Sequence, residues 1–351
     1  MAKFEPKYEI TNSIANNLIQ IERVKEGIKN LPINPKLLTS LRETAKMTTI
    51  HYSTQIEGNR LSQEEVYNVL KNPNKVISNT GRIRDEKEIK GYYIALDYIE
   101  KLIKEKATIT EKHIKQLHAL VEGGGSKKVK PTEYREGQNV ITDSLSGNIV
   151  YMPPEAKDVP LLMKEFVNWI NTTNNIPVPI KAAIIHYQFE SIHPFYDGNG
   201  RTGRVLNVIY LVLNKLLDSP ILYLSNYINN TKSDYYRLFT EFREKNNYED
   251  WILYILNGVN ETAKNTINLI KQIQSEMESY KKEFMTKLPK VYSDDLLNSL
   301  FYEVYTRINY IEEKLGVTRQ TAAIYLNQLV EVGLLEYEKI GKENIYKNVR
   351  L

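Results

Sequence analysis

The stretch His193-Pro-Phe-Tyr-Asp-Gly-Asn-Gly-Arg-Thr-Gly-Arg204 decides how this chain is read. It stands between two apolar runs of helical period, residues 180–189 and 205–217, and so reads as a loop feeding its last residues into a helix. Gly198, Asn199 and Gly200 suit a turn that needs positive φ and a close approach of backbone to ligand. Successive N–H groups in such a turn, backed by the next helix N-terminus, make an anion site. Arg201 and Arg204 are three apart on the first helical turn, where two guanidinium forks can hold two phosphate groups. Asp197 offers one hard oxygen ligand for Mg²⁺ when phosphates supply others. His193, beside the anion site, is a candidate general base. Each residue alone is ordinary; the combination at fixed spacing points to a phosphate site.

The stretch fits H-P-F-x-D/E-G-N-G/K-R-x-x-R at every fixed position, and on it the chain resembles the Fic family. The resemblance implies a mainly α fold, a Fic-type helical core with a small β-hairpin flap. It also implies an enzyme, a protein adenylyltransferase that moves AMP from ATP to a Tyr, Thr or Ser hydroxyl of a target protein or of itself. His193 would take the hydroxyl proton. Gly198, Asn199 and Gly200 would hold the α- and β-phosphates through backbone N–H groups, with the Asn199 side chain on the α-phosphate. Asp197 would bind Mg²⁺, and Arg201 and Arg204 would neutralise the β- and γ-phosphates. Phe195 reads as a buried anchor. A family branch with Lys in place of Gly200 resembles a kinase; a Gly leaves room for the outer phosphates and favours AMP transfer.

A second resemblance lies in Ser53-Thr-Gln-Ile-Glu-Gly58, similar to the inhibitory pattern S/T-x-x-x-E-G/N. Ser53 and Glu57 are four apart and share a helix face. A carboxylate from that face could occupy Arg204, deny the γ-phosphate its partner and leave the α-phosphate turned away from attack. The pattern precedes the loop in the same chain, which implies autoinhibition in cis. Whether Glu57 also positions a water that removes AMP stays open.

Composition sets the remaining bounds. The 351 residues are 42% hydrophobic and 26% charged, as in ordinary globular domains. No apolar run reaches the roughly 18 to 20 residues of a membrane span, and the first residues lack a signal-peptide core. Cysteine is absent, which excludes disulfides and thiolate metal sites and makes a cytoplasmic location the expectation. The net charge of +4 comes from 47 basic and 43 acidic residues spread along the chain and demands no nucleic-acid partner.

Taken in order, the chain divides into three expected segments. Residues 1–107 form a helical region carrying the inhibitory helix, about 43–57. Residues 108–288 form the catalytic core, with the flap at about 137–153 around a turn at 143–147 and a long linking helix from 248. Residues 289–351 follow helix, helix, turn, helix and a two-stranded ribbon around 341–344, the order of a winged helix-turn-helix. Residues 222–230 read as irregular. The resemblance places the adenine near Tyr236, although an aromatic at helical spacing also suits a core. Residues 294–351 hold seven basic and nine acidic side chains, so DNA, a protein partner or a second copy of the chain all remain candidate partners. Two other functions stay in view: a nucleotide-sensing transcriptional regulator, and a transferase of another phosphate-linked group.

Overall fold

Apolar residues recurring every three to four positions dominate the chain and give fourteen α-helices among the described residues. The computed structural model describes residues 4–30, 35–71, 82–142, 149–172, 175–216, 224–245, 247–302, 305–340 and 343–350. Helix α1 (Asn12–Lys29) buries Ile14, Ile21 and Val24. Helix α2 (Pro35–Ile56) stops just before Gly58, whose φ of 93° only glycine adopts without strain. Helix α3 (Gln63–Lys71) opens with the capping box expected from Ser62 and Glu65: the Glu65 N–H donates to Ser62 Oγ at 3.2 Å, and the Ser62 N–H to Glu65 Oε2 at 2.8 Å. Helix α4 (Ile83–Lys104) is followed by α5 (Glu111–Glu122), capped by Thr110 Oγ1 accepting from the His113 N–H. The two approach so closely at Gly91 that a Cβ there would collide with the Val121 carbonyl.

The flap strands β1 (Ile141–Thr142) and β2 (Ile149–Tyr151) pair antiparallel, Ile141 opposite Tyr151 and Thr142 opposite Ile149. The expected turn at 143–147 lies outside the described residues. A 3₁₀ turn (Ala156–Asp158) leads into α6 (Val159–Thr172), followed by α7 (Val178–Ile192), α8 (Asn199–Leu213), α9 (Leu224–Asn230), α10 (Lys232–Lys245) and α11 (Tyr248–Lys287). The irregular reading of 222–230 is corrected by α9, where Leu224, Ser225 and Ile228 bury one helical face. The C-terminal elements are α12 (Asp294–Tyr302), β3 (Tyr305–Thr306), α13 (Ile308–Leu315), α14 (Arg319–Glu331), β4 (Leu335–Ile340) and β5 (Glu343–Asn348). The turn at 341–342 lies outside the described residues.

Two compact units result. The first comprises residues 1–27 and 44–263. Its axis is α7, which is apolar nearly all round and buried from Pro179 to Ile192 with few exceptions, so its neighbours must wrap it on every side. Its own Phe189 packs near Phe166 of α6, and Trp251 of α11 donates its indole N–H to the Ala183 carbonyl at 2.8 Å. Each such side chain taken fully out of water contributes about 1.5–3 kcal/mol. The second unit comprises residues 28–43 and 264–351. Its sheet has the order β3-β5-β4, all antiparallel, packed on Tyr280, Phe284, Leu296, Leu300, Ile311 and Leu326. Gly316, at φ 64°, ends α13, and Thr318 Oγ1 caps α14 by accepting from the Thr321 N–H. Among the described residues no helix is long and apolar enough to cross a membrane.

Candidate active site

The site is built where the central helix α7 stops and α8 starts. His193 takes a left-handed conformation, φ 50° and ψ 61°, at the C-cap of α7 and turns the chain out of the helix. Phe195 then plunges into the core, stacked on His118 of α5 with ring centroids 3.8 Å apart. Gly198, at φ 72°, begins α8. His118 Nε2 donates to the Asp197 carbonyl at 2.8 Å, so α5 buttresses the loop through both ring stacking and a hydrogen bond. The N–H groups of Asn199, Gly200 and Arg201 have no acceptor within the helix they start, which leaves the loop an anion cradle.

Asn199 has a structural role in the loop. The Asn199 side chain is buried, its Oδ1 accepts from the Phe195 N–H at 2.9 Å and its Nδ2 donates to the Phe195 carbonyl at 2.8 Å. It braces the loop from both ends of the carboxamide, and Nδ2 keeps a second N–H beyond the one given to Phe195.

The two arginines have different partners. Arg204 is buried and donates from Nε to Ser53 Oγ, and from Nη2 to the Ser53 carbonyl and to Glu57 Oε1, each at 2.8 Å. Glu57 reaches past the end of α2 until its Oε1 lies over Gly200, leaving no room for a Cβ there. Burial works against the charge of Arg204, but the Glu57 carboxylate, with Tyr235 and Tyr92 acting in the same sense, holds its pKa above the ordinary guanidinium value. Arg201 is 3% exposed and forms an ion pair with Glu122 Oε1 at 2.8 Å, with Glu88 at 3.8 Å and Asp197 at 3.9 Å. Its Nε and Nη1 have no hydrogen-bond acceptor among the described residues. Burial raises the Glu122 carboxyl and Arg201 pulls it back down.

His193 is kept neutral at physiological pH. Its pKa is pushed down to about 4, first by burial; the Glu190 backbone carbonyl opposes this, Arg135 adds to it, Glu57 opposes it and Arg243 adds to it. A neutral imidazole is the form that can accept a proton. Three residues earlier, Glu190 is buried beside Gly203, and burial pushes its pKa up to about 8 against the pull of Arg204.

The flap is tied to the loop at its base. Tyr196 Oη accepts from the Glu136 and Gly137 N–H groups at 3.1 and 2.8 Å, and Asn139 Nδ2 donates to the Phe195 carbonyl at 3.2 Å. Tyr151 of β2 donates to the Ser191 carbonyl at 2.7 Å while the Arg243 guanidinium lies 3.5 Å over its ring.

Asp197 is 71% exposed at the mouth of the loop and accepts from the Gly198 N–H at 2.7 Å. Among the described residues no group of three or more His, Cys, Asp or Glu side chains could hold a metal ion. A single exposed carboxylate fits Mg²⁺ only when phosphate oxygens and water complete the shell. Tyr236 of α10 is 47% exposed, and its hydroxyl is raised to about 12, by burial first and by Glu57 second. It thus lies within the electrostatic reach of Glu57. Sequence reasoning missed Arg135, Glu122, Glu190 and Arg243. Of these Glu190 carried a signal, an acid inside an otherwise apolar helical run.

Residues 108–211 match the Fic/DOC family, and residues 277–351 match the C-terminal domain described as protein adenylyltransferase SoFic-like. This chain carries a Fic/DOC domain. Curated relatives include the protein adenylyltransferase Fic of Drosophila virilis, 30% identical over 191 residues, and that of Drosophila mojavensis, 33% identical over 191 residues. Each alignment covers 54% of this chain but only 37% and 36% of the respective relative, so the chain spans little more than a third of their length. A Fic family protein from Desulfovibrio desulfuricans G20 superposes with a TM-score of 0.64 at 22% identity, covering 99% of this chain and 98% of that one. Fic-1 of C. elegans, residues 134–508, gives 0.60 at 22% identity over 73% of this chain and 72% of that one. These structural likenesses establish the fold. The Fic/DOC domain contains His193 to Arg204, whereas Glu57 lies upstream of the matched residues.

Proposed function

We propose that this protein is an adenylyltransferase, transferring AMP from ATP to a Tyr, Thr or Ser hydroxyl of a target protein or of itself, and that Glu57 restrains it in cis. The observation that carries the reading is a neutral His193 beside the open N-terminus of α8, with Arg204 of the same turn held by Glu57. In the transfer, His193 accepts the hydroxyl proton as the oxygen bonds to the α-phosphorus and pyrophosphate leaves. The N–H groups of Asn199, Gly200 and Arg201 face the phosphates, and Arg204 balances the outer charge once Glu57 withdraws. Mg²⁺, when bound, would neutralise phosphate charge, and Asp197 is the residue to hold it. Tyr236 is proposed to border the base. The C-terminal module is proposed as a winged helix-turn-helix serving protein contact rather than DNA, in keeping with its excess of acidic side chains.

The test is incubation of wild type, Glu57→Gly and His193→Ala with ATP labelled in the α-phosphate and Mg²⁺, alone and with lysate. Label on protein is expected to be strongest with Glu57→Gly and absent with His193→Ala. Equal labelling by His193→Ala overturns the assignment, and the mass added to the product separates AMP from a bare phosphate.

A further inference from the structure

We propose that Arg135 is a positioning residue for His193: one buried guanidinium ties the carbonyl of the candidate base to both feet of the flap. The proposal rests on the transferase reading above. Arg135 is 2% exposed. Its Nε donates to the His193 carbonyl at 2.9 Å, its Nη1 to the Gly137 carbonyl at 3.1 Å and its Nη2 to the Pro154 carbonyl, while its backbone N–H donates to the Pro194 carbonyl at 2.9 Å. Gly137 precedes β1 and Pro154 follows β2, so the two chains that enter and leave the flap meet at one planar fork. The same fork holds His193, where the backbone is left-handed and the imidazole would otherwise swing with its strained main chain. The two strands of the flap and the candidate base are thereby referred to a single point.

The chemistry of the partners is informative. Among the described residues no carboxylate lies within ion-pair distance of Arg135, and its three side-chain bonds all go to carbonyls. A buried cation without a counter-ion is costly and is retained only where its bonds or its field matter. Its uncancelled charge acts on His193 in the same sense as burial and as Arg243, against the Glu190 carbonyl and the Glu57 carboxylate. Lysine cannot replace it, because an ammonium lacks the rigid planar fork that spans three carbonyls.

The experiment uses the full chain in the Glu57→Gly background, with Arg135→Lys and Arg135→Gln. Label transfer at saturating ATP is expected to fall on the order of 10²-fold in both, as for a base displaced by about 1 Å, with ATP affinity unchanged. NMR titration of the histidines supplies the second readout. His193 should titrate nearer its ordinary value in Arg135→Gln and stay low in Arg135→Lys, which keeps the charge. Unaltered transfer overturns the proposal, as does a loss of rate, ATP affinity and thermal midpoint in step while the His193 titration stays put. If even the parent transfers no label, the transferase reading fails, and the titration still decides whether Arg135 and His193 are coupled.

Discussion

At the scale of single residues, one guanidinium has two claimants. Arg204 holds Ser53 and Glu57, and the γ-phosphate would need the same fork. Ser53→Ala removes one acceptor from a buried charged donor, a loss of about 1–2 kcal/mol. It should therefore raise self-labelling by about tenfold, a factor that corresponds to 1.4 kcal/mol, and by less than Glu57→Gly; a rate unchanged in both removes the brake. The pH behaviour of His193 follows from its depressed pKa. The proton-accepting form is lost only as pH falls through about 4, so the acid limb of the transfer rate should lie well below the ordinary histidine value of about 6.5. Glu190 runs the other way. Its folded-state pKa of about 8 lies above the unfolded value, so the folded chain binds more protons between about 4.5 and 8 and stability falls as pH rises across that window. Glu190→Gln should flatten this dependence, measured as thermal midpoint at pH 5 and pH 8; parallel curves for the two proteins would remove Glu190 from the account. The residues of the loop were legible because their chemistry is in their side chains. Arg135 was not, because its acceptors are backbone carbonyls that leave no mark in a sequence. The bracing role of the Asn199 carboxamide was hidden for a related reason: its partner is the backbone of Phe195, four residues away.

At the scale of elements, the site depends on how closely α4, α5, α7 and α8 can approach. His118 and Glu122 of α5 reach the loop only because α5 lies against α4 at Gly91. Gly91→Ala would place a methyl group against the Val121 carbonyl, a backbone atom that cannot rotate away. A loss of about 1–3 kcal/mol is expected, visible as a lowered thermal midpoint in circular dichroism, with labelling reduced as the loop loses its buttress. An unchanged midpoint would show that the two helices can separate freely. Long helices were readable from their period, and α3 from its capping box. The seven-residue α9 was not, since two turns hold too few apolar positions to declare a period.

At the scale of the whole molecule, residues 28–43 join 264–351 in one unit, with Leu41 packed against Ile270. Such pairing between distant segments has no local signature, whereas the helix, strand and ribbon order of residues 294–348 does. The acidic balance of that module predicts weak binding to duplex DNA of random sequence. Fluorescence anisotropy at 50 and 200 mM salt checks it, and tight binding with a steep salt slope would return DNA to the account. The shared claim on Arg204 carries a last consequence, one of thermodynamic reciprocity. If Glu57 lowers the affinity for nucleotide by some factor, nucleotide must loosen Glu57 by the same factor. Amide hydrogens around residues 53–57 should then exchange faster in the presence of a non-hydrolysable ATP analogue. The strength of the restraint becomes readable from the backbone at rest, before any product is made.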